Sequence, residues 1–337
     1  MLLALSAVAC QPADDDGRIT TVVGDRAVVT FARPLCTGDI AVIEQTVEHV
    51  EGELDMRVES PLAIAIWSRY ADVSARCSEG PTGCFNDGEV HALWEALEHE
   101  IVHAASIPVL GTPEPLWLEG IAEALSGRTY HGPADVASLV GLEDSREVDY
   151  TTAGHFVRWL REEHGIEGVR ALAREASFED AYGMLLHDAI GDYEQNAPWS
   201  YPDWNTCLGS PLDATEEDGW VYDIPVECED PWGSARYGTG PSVLRTIDVE
   251  TAGTFRLVVS GANNVSIVVC QLDALIDDPE VDMAGDIIRE SSGLRRPTMF
   301  AGDEVYEITL EPGRLQLLIN VEGGDTTVGF ELRRTGP

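Results

Sequence analysis

The sequence predicts an α+β domain followed by an antiparallel β-sandwich. In the first half, short apolar runs alternate with segments whose apolar residues recur every three or four positions. After about residue 235 the pattern changes to period two. Between the halves lies a stretch rich in Pro, Trp, Gly and Asp that has no period.

Taken in order, "RITTVVGDRAVVTF" reads as two short strands around a Gly24-Asp25 turn. "TGDIAVIEQTVEHVEGEL" sets Ile40, Ile43, Val47, Val50 and Leu54 at helical spacing. "LAIAIW" is a buried strand, a loop spans Cys77 to Cys84, and "GEVHAL" is a further short strand. "YTTAGHFVRWLREEHG" is a helix with Phe156, Trp159 and Leu160 on one face and Gly165 placed to end it. Residues 196–235 read as a linker. Beyond them "TFRLVVSG", "VSIVVCQL", "EVYEITL", "GRLQLLINVEG" and "VGFELRR" read as strands separated by turns. In "GRLQLLINVEG", Leu315, Leu317, Ile319 and Val321 occupy one face, which is the pattern of a sandwich strand.

Composition narrows the function. The chain has 337 residues, of which 60 are acidic and 21 basic, a net charge of −39. Such a surface repels phosphate backbones and anionic headgroups, which argues against nucleic acid and against charge-driven membrane binding. The opening "MLLALSAVACQPADDDG" resembles a bacterial lipoprotein signal, in which the cysteine is lipidated. That resemblance implies a signal over residues 1–10, a lipid on Cys10 as the only membrane attachment, and an acidic tether over 11–17. An ordinary secretory signal is the other reading, and both imply export to the cell envelope or beyond. Six further cysteines fit an oxidising compartment. Proximity suggests pairing Cys77 with Cys84 and Cys207 with Cys228, leaving Cys36 and Cys270 free or paired with each other.

The chemistry concentrates in "LEHEIVHAASIPVLGTPEPLWLEGIAEALSG". With eight histidines in the chain, H-E-x-x-H would arise by chance in roughly one or two chains in a hundred of this make-up. Four residues advance about 400° along a helix, so His99 and His103 share a face and can bind one zinc. Glu100 can reach a water at such a metal and act as general base. On the next helix Glu119 and Glu123 stand one turn apart. One carboxylate can complete a two-His, one-Glu site, and the other can fix the tautomer of a ligand histidine. The oxyanion of the transition state also needs a donor. Tyr150 and His155, both near the start of the following helix, are the candidates, with Tyr150 preferred.

These segments resemble the gluzincin zinc metallopeptidases. "LEHEIVH" matches that group's zinc helix, and "WLEGIAEALSG" is similar to its W-L-x-E-G-x-A-E segment, one residue shorter before the glutamate. The resemblance implies a zincin-like catalytic domain over residues 18–195, with His99, His103 and Glu119 as Zn2+ ligands, Glu100 as base and Glu123 behind the ligands. It also implies "GEVHAL" as the edge strand that binds extended substrate, and a protein or peptide substrate for a monomeric enzyme. Residues 236–337 are then an accessory β-sandwich that contributes no catalytic group. A catalytically silent binding lipoprotein on the same scaffold is the competing reading. Retention of Glu100 favours the enzyme.

Overall fold

The computed structural model describes residues 20–31, 35–77, 82–127, 134–199, 201, 208–215, 219–235, 240–270, 298–324 and 326–336. The signal, Cys10, the tether, His131, Cys207 and the acidic segment after Cys270 lie outside them. Among the described residues the chain is mixed α and β, with helices and three sheets.

The first sheet contains β1 (Thr20–Val23), β2 (Ala27–Phe31), β3 (Leu62–Ile66), β4 (Gly83–Asn86) and β5 (Glu89–Ala92), in the order β1-β2-β3-β5-β4. β2, β3 and β5 run parallel, and β1 and β4 are antiparallel to their neighbours. The strand in "GEVHAL" is therefore β5, which lies inside the sheet. The edge on this side is β4, whose first two residues fall in the stretch expected to be the Cys77–Cys84 loop. A short-range signal for it is present. β4 and β5 form a hairpin across Asp87 (φ 50°) and Gly88 (φ 82°), and two successive positive φ values define the tight turn that Asp-Gly favours.

Helix α1 (Thr37–Leu54) packs Ile43, Val47, Val50 and Leu54 against the core. Its first turn is closed by the Asp39 carboxylate, which accepts from the Cys36 backbone N–H at 3.0 Å. After α2 (Tyr70–Ser74) come α3 (Leu97–Leu110), α4 (Pro115–Leu125) and α5 (Tyr150–His164). α5 buries Phe156, Trp159 and Leu160 and stops at Gly165, whose φ of 87° suits glycine. α6 (Ile166–Ala173), α7 (Phe178–Tyr182) and α8 (Leu186–Asn196) complete a core that gathers residues from Ala27 to Tyr201.

The second half pairs ten strands: β6 (Ser210–Pro211), β7 (Gly219–Val226), β8 (Gly233–Ser234), β9 (Ser242–Val249), β10 (Gly253–Ser260), β11 (Asn264–Val269), β12 (Thr298–Ala301), β13 (Val305–Leu310), β14 (Gly313–Asn320) and β15 (Thr326–Gly336). One sheet runs β13-β10-β15-β7, the other β12-β11-β14-β9-β6 with β8 beside β9. Inward residues of both, including Phe255, Leu257, Phe330, Leu315, Leu317 and Ile319, share one core. Two features differ from the sequence reading. β6, β7 and β8 fall in the stretch expected to be a linker, and β7 pairs with β15 over its whole length. β9 went unread because its residues from Ser242 to Ile247 are all buried, so it shows no alternation.

The bridge pairs also differ. Cys77 joins Cys84 as expected, but Cys228 joins Cys36 rather than Cys207, across 192 residues, and Cys270 is itself disulfide-bonded. The Cys36–Cys228 bridge fastens the start of α1 to the second half. Asp39 reinforces it by accepting from Ser234 Oγ at 2.6 Å and from the Ala235 N–H at 3.0 Å. Disulfides of this kind persist in oxidising compartments. No described helix is long and apolar enough to cross a membrane.

Candidate metal centre

α3 begins after a short helical turn at Trp94–Ala96, and every residue from Leu97 to Ser106 is buried. This stretch is thus surrounded by protein on every side rather than facing water. His99 and His103 project from one face with ring centroids 4.6 Å apart, edge to face, and their Nε2 atoms are 2.9 Å apart.

α4 carries the third group to the same point. Glu119 Oε2 lies 3.1 Å from His99 Nε2 and 3.2 Å from His103 Nε2. The placement of Glu119 is set by Gly120 beside it. A Cβ at Gly120 would sit 2.9 Å from the Ala153 carbonyl oxygen and 2.7 Å from Val157 Cγ2, so α4 and α5 approach as closely as only glycine allows. This gives the Glu-Gly pair of "WLEGIAE" a packing reason. One turn on, Glu123 Oε1 lies 3.0 Å from His99 Nδ1, on the far side of the ring. A proton held between them makes Nδ1 the donor to Glu123 and leaves Nε2 as the nitrogen that faces Glu119 and His103.

The five groups are buried, with exposures of 4% for His99, 7% for Glu100 and His103, 4% for Glu119 and 1% for Glu123. Buried ionisable groups are costly without partners, and these are partnered by one another. Burial disfavours the charged His99 imidazole, but Glu119 and Glu123 outweigh it and raise its pKa to about 9. Burial also opposes ionisation of Glu119, yet contacts to His103 and His99 bring its carboxyl down to about 2.

The three ligand atoms lie within 3.2 Å of one another. In a tetrahedral zinc site with bonds of about 2.0–2.1 Å, ligand atoms are separated by about 3.3 Å. Two imidazole nitrogens and a carboxylate oxygen so arranged fit that ion. Among the described residues this is the one His, Cys, Asp and Glu cluster able to hold a metal.

Tyr150 opens α5, capped by Asp149, whose carboxylate accepts from the Thr152 N–H at 2.9 Å. Its ring stacks on His99 with centroids 5.4 Å apart and 17° between planes. Burial, then the charges of Glu119, Glu100 and Glu123, push its phenol upward, so it is a proton donor at neutral pH. His155, the other candidate donor, is not brought to the site. It is fully buried, with Nδ1 2.8 Å from Tyr193 Oη and its ring 5.3 Å from that of Tyr201. Local spacing in the sequence does not point to Gly83, the first residue of β4, which packs against the Glu100 side chain. Its signal lies in strand pairing rather than in local spacing.

No family model matches this chain, and no curated protein matches it. Among solved structures it is similar to PliG, a periplasmic lysozyme inhibitor of g-type lysozyme. The Aeromonas hydrophila protein is 10% identical over 38% of this chain and 96% of its own, with a TM-score of 0.23. The Salmonella Typhimurium protein is 8% identical over 38% of this chain and all of its own, with a TM-score of 0.21. A mutant of the Escherichia coli protein is 12% identical with the same coverage and a TM-score of 0.19. Scores this low carry no argument about function.

Proposed function

We propose that the chain is a zinc metallopeptidase of the gluzincin type, exported to the cell envelope or beyond and anchored there by a lipid on Cys10. The observation that carries this is the convergence of His99, His103 and Glu119 on one point with Glu100 on the same helix. In this reading residues 18–195 belong to the catalytic domain, and the sandwich strands from β6 onward form an accessory one.

His99, His103 and Glu119 would hold a zinc ion, which when bound would supply Lewis-acid polarisation of a peptide carbonyl and of the attacking water. Glu100 takes the proton of that water as it attacks and later returns it to the leaving amine. Tyr150, kept protonated by burial and its acidic surroundings, donates a hydrogen bond to the oxyanion. Glu123 orients His99 through Nδ1. The substrate is a peptide or protein, because the base, the donor and the metal ligands match amide hydrolysis and the charge of −39 disfavours polyanions.

The test is metal analysis of the purified protein together with digestion of a peptide library. One zinc per chain and hydrolysis abolished by a chelator are expected. Zinc without hydrolysis of any peptide would favour a silent binding protein on this scaffold. A metal-free protein with no affinity for zinc would dismiss both.

A further inference from the structure

The sheet order leaves β4 at the edge, and its first residue, Gly83, is buried. A Cβ built there would stand 2.6 Å from Glu100 Cγ, 2.9 Å from Glu100 Oε1 and 3.1 Å from Ala96 Cβ. Gly83 does not have a positive φ, so its backbone conformation is open to any residue. What excludes a side chain at 83 is the space that Glu100 already fills.

The strand is also held in place on both sides of this glycine. The Thr82 carbonyl accepts from the Leu93 N–H at 2.8 Å, and Gly83 stands opposite Ala92 in the β4–β5 pairing. The next residue, Cys84, is bonded to Cys77, which follows α2. A strand pinned this way cannot retreat from α3 to accommodate a larger residue, so the Glu100 carboxylate would have to move instead.

We infer that Gly83 is a positioning residue for Glu100: its bare backbone forms one wall of the slot that holds the general base, and the Cys77–Cys84 bridge keeps that wall against α3. This rests on the peptidase reading for its catalytic consequence, but the contact itself does not. Reacting groups lose about 100-fold in rate when displaced by about 1 Å. Any side chain at 83 forces a shift of that order on Glu100 while leaving His99, His103 and Glu119 where they are.

The experiment compares the full-length parent with Gly83→Ala, Glu100→Ala and the double variant. Zinc content, kcat and KM on a quenched fluorescent peptide cleaved by the parent, and denaturant unfolding are read for each. For Gly83→Ala the expected result is unchanged zinc, unchanged KM and a kcat lower by about 100-fold. Unfolding should show coupling, with alanine at 83 destabilising the parent but not the Glu100→Ala protein. If Gly83→Ala does not fold, the double variant should fold. A rise in KM at constant kcat would overturn the inference, because the space would then serve the substrate. Strictly additive stabilities, or a double variant that also fails to fold, would overturn it too. A parent that cleaves no peptide sinks the peptidase reading and with it the catalytic role of Gly83, whereas additivity removes the contact alone.

Discussion

Glu119 and Glu123 stand one turn apart on α4, yet they meet opposite nitrogens of the same imidazole. Glu119 faces His99 Nε2 and His103 Nε2, and Glu123 faces His99 Nδ1. Losing a group behind a ligand weakens metal affinity by about 10–100-fold, whereas losing a ligand costs more. Zinc titration of Glu119→Ala and Glu123→Ala is therefore expected to show the larger loss for Glu119→Ala, and the reverse order would exchange the two roles. The residues of this cluster were legible in the sequence because helical spacing alone brings His99 to His103, and a short turn returns α4 beside α3. Tyr150 was legible for a related reason, as the residue that opens the next helix. Gly83 was not, since its closeness to Glu100 depends on which strand takes the sheet edge, and nothing in a four-residue run states that. The placement of His155 was also hidden: it lies five residues beyond Tyr150, about 500° around the helix, which turns it to the face that packs against Tyr193.

Among the elements, α1 and α5 show how the scaffold beneath the site is tied and how that tie responds to pH. Arg161 of α5 grips the Glu53 carboxylate of α1 with two hydrogen bonds, at 2.8 and 2.7 Å. His49, one turn before Glu53, is held down at about 4 by burial first, with Arg161 and Arg158 adding to it against the pull of Glu53. A folded pKa below the unfolded value of 6.5 means the unfolded chain binds more protons between them, so stability rises with pH across that window. The contribution is complete above about pH 6.5 and is lost as pH falls toward 4. It amounts to no more than about 3 kcal/mol. Denaturant midpoints measured from pH 4 to 6.5 should rise less steeply for His49→Gln than for the parent, and equal slopes would contradict this assignment. The elements themselves read out of the sequence unevenly. α1, α5, β2 and β14 declare themselves by period, whereas β9 is buried along nearly its whole length and β7 is masked by the prolines and tryptophans around it.

At the scale of the molecule, the two halves are joined more firmly than a linker implies. The Cys36–Cys228 bridge closes 192 residues, the Thr37 N–H donates to the Cys228 carbonyl at 2.9 Å, and Gly38 lies so close to Trp232 and Gly233 that a Cβ would fall 2.5 Å from the Gly233 carbonyl oxygen. Leu97, Glu98 and Ile101 of α3 share a small cavity with Trp232, Ser234 and Leu244. The second half thus braces the back of α3, although none of its described residues belongs to the His99, His103 and Glu119 cluster. Long-range bridges of this size contribute about 2–5 kcal/mol. Replacing both cysteines by serine should lower stability by that amount in denaturant unfolding and leave zinc content intact. An unchanged stability would show that Asp39 and the packing around Gly38 suffice. No local pattern could reveal this bridge, because Cys207 is far nearer to Cys228 in sequence than Cys36 is.

In the function proposed here, Glu100 is a general base beside a zinc held by His99, His103 and Glu119. The most direct measurement of this role is zinc content and peptide hydrolysis of Glu100→Gln beside the parent, both full length and both purified in the same buffer. Glutamine keeps the shape of the side chain and removes its capacity to take a proton. One zinc per chain is expected in each protein, with hydrolysis in the parent alone. A fully active Glu100→Gln protein would contradict this role.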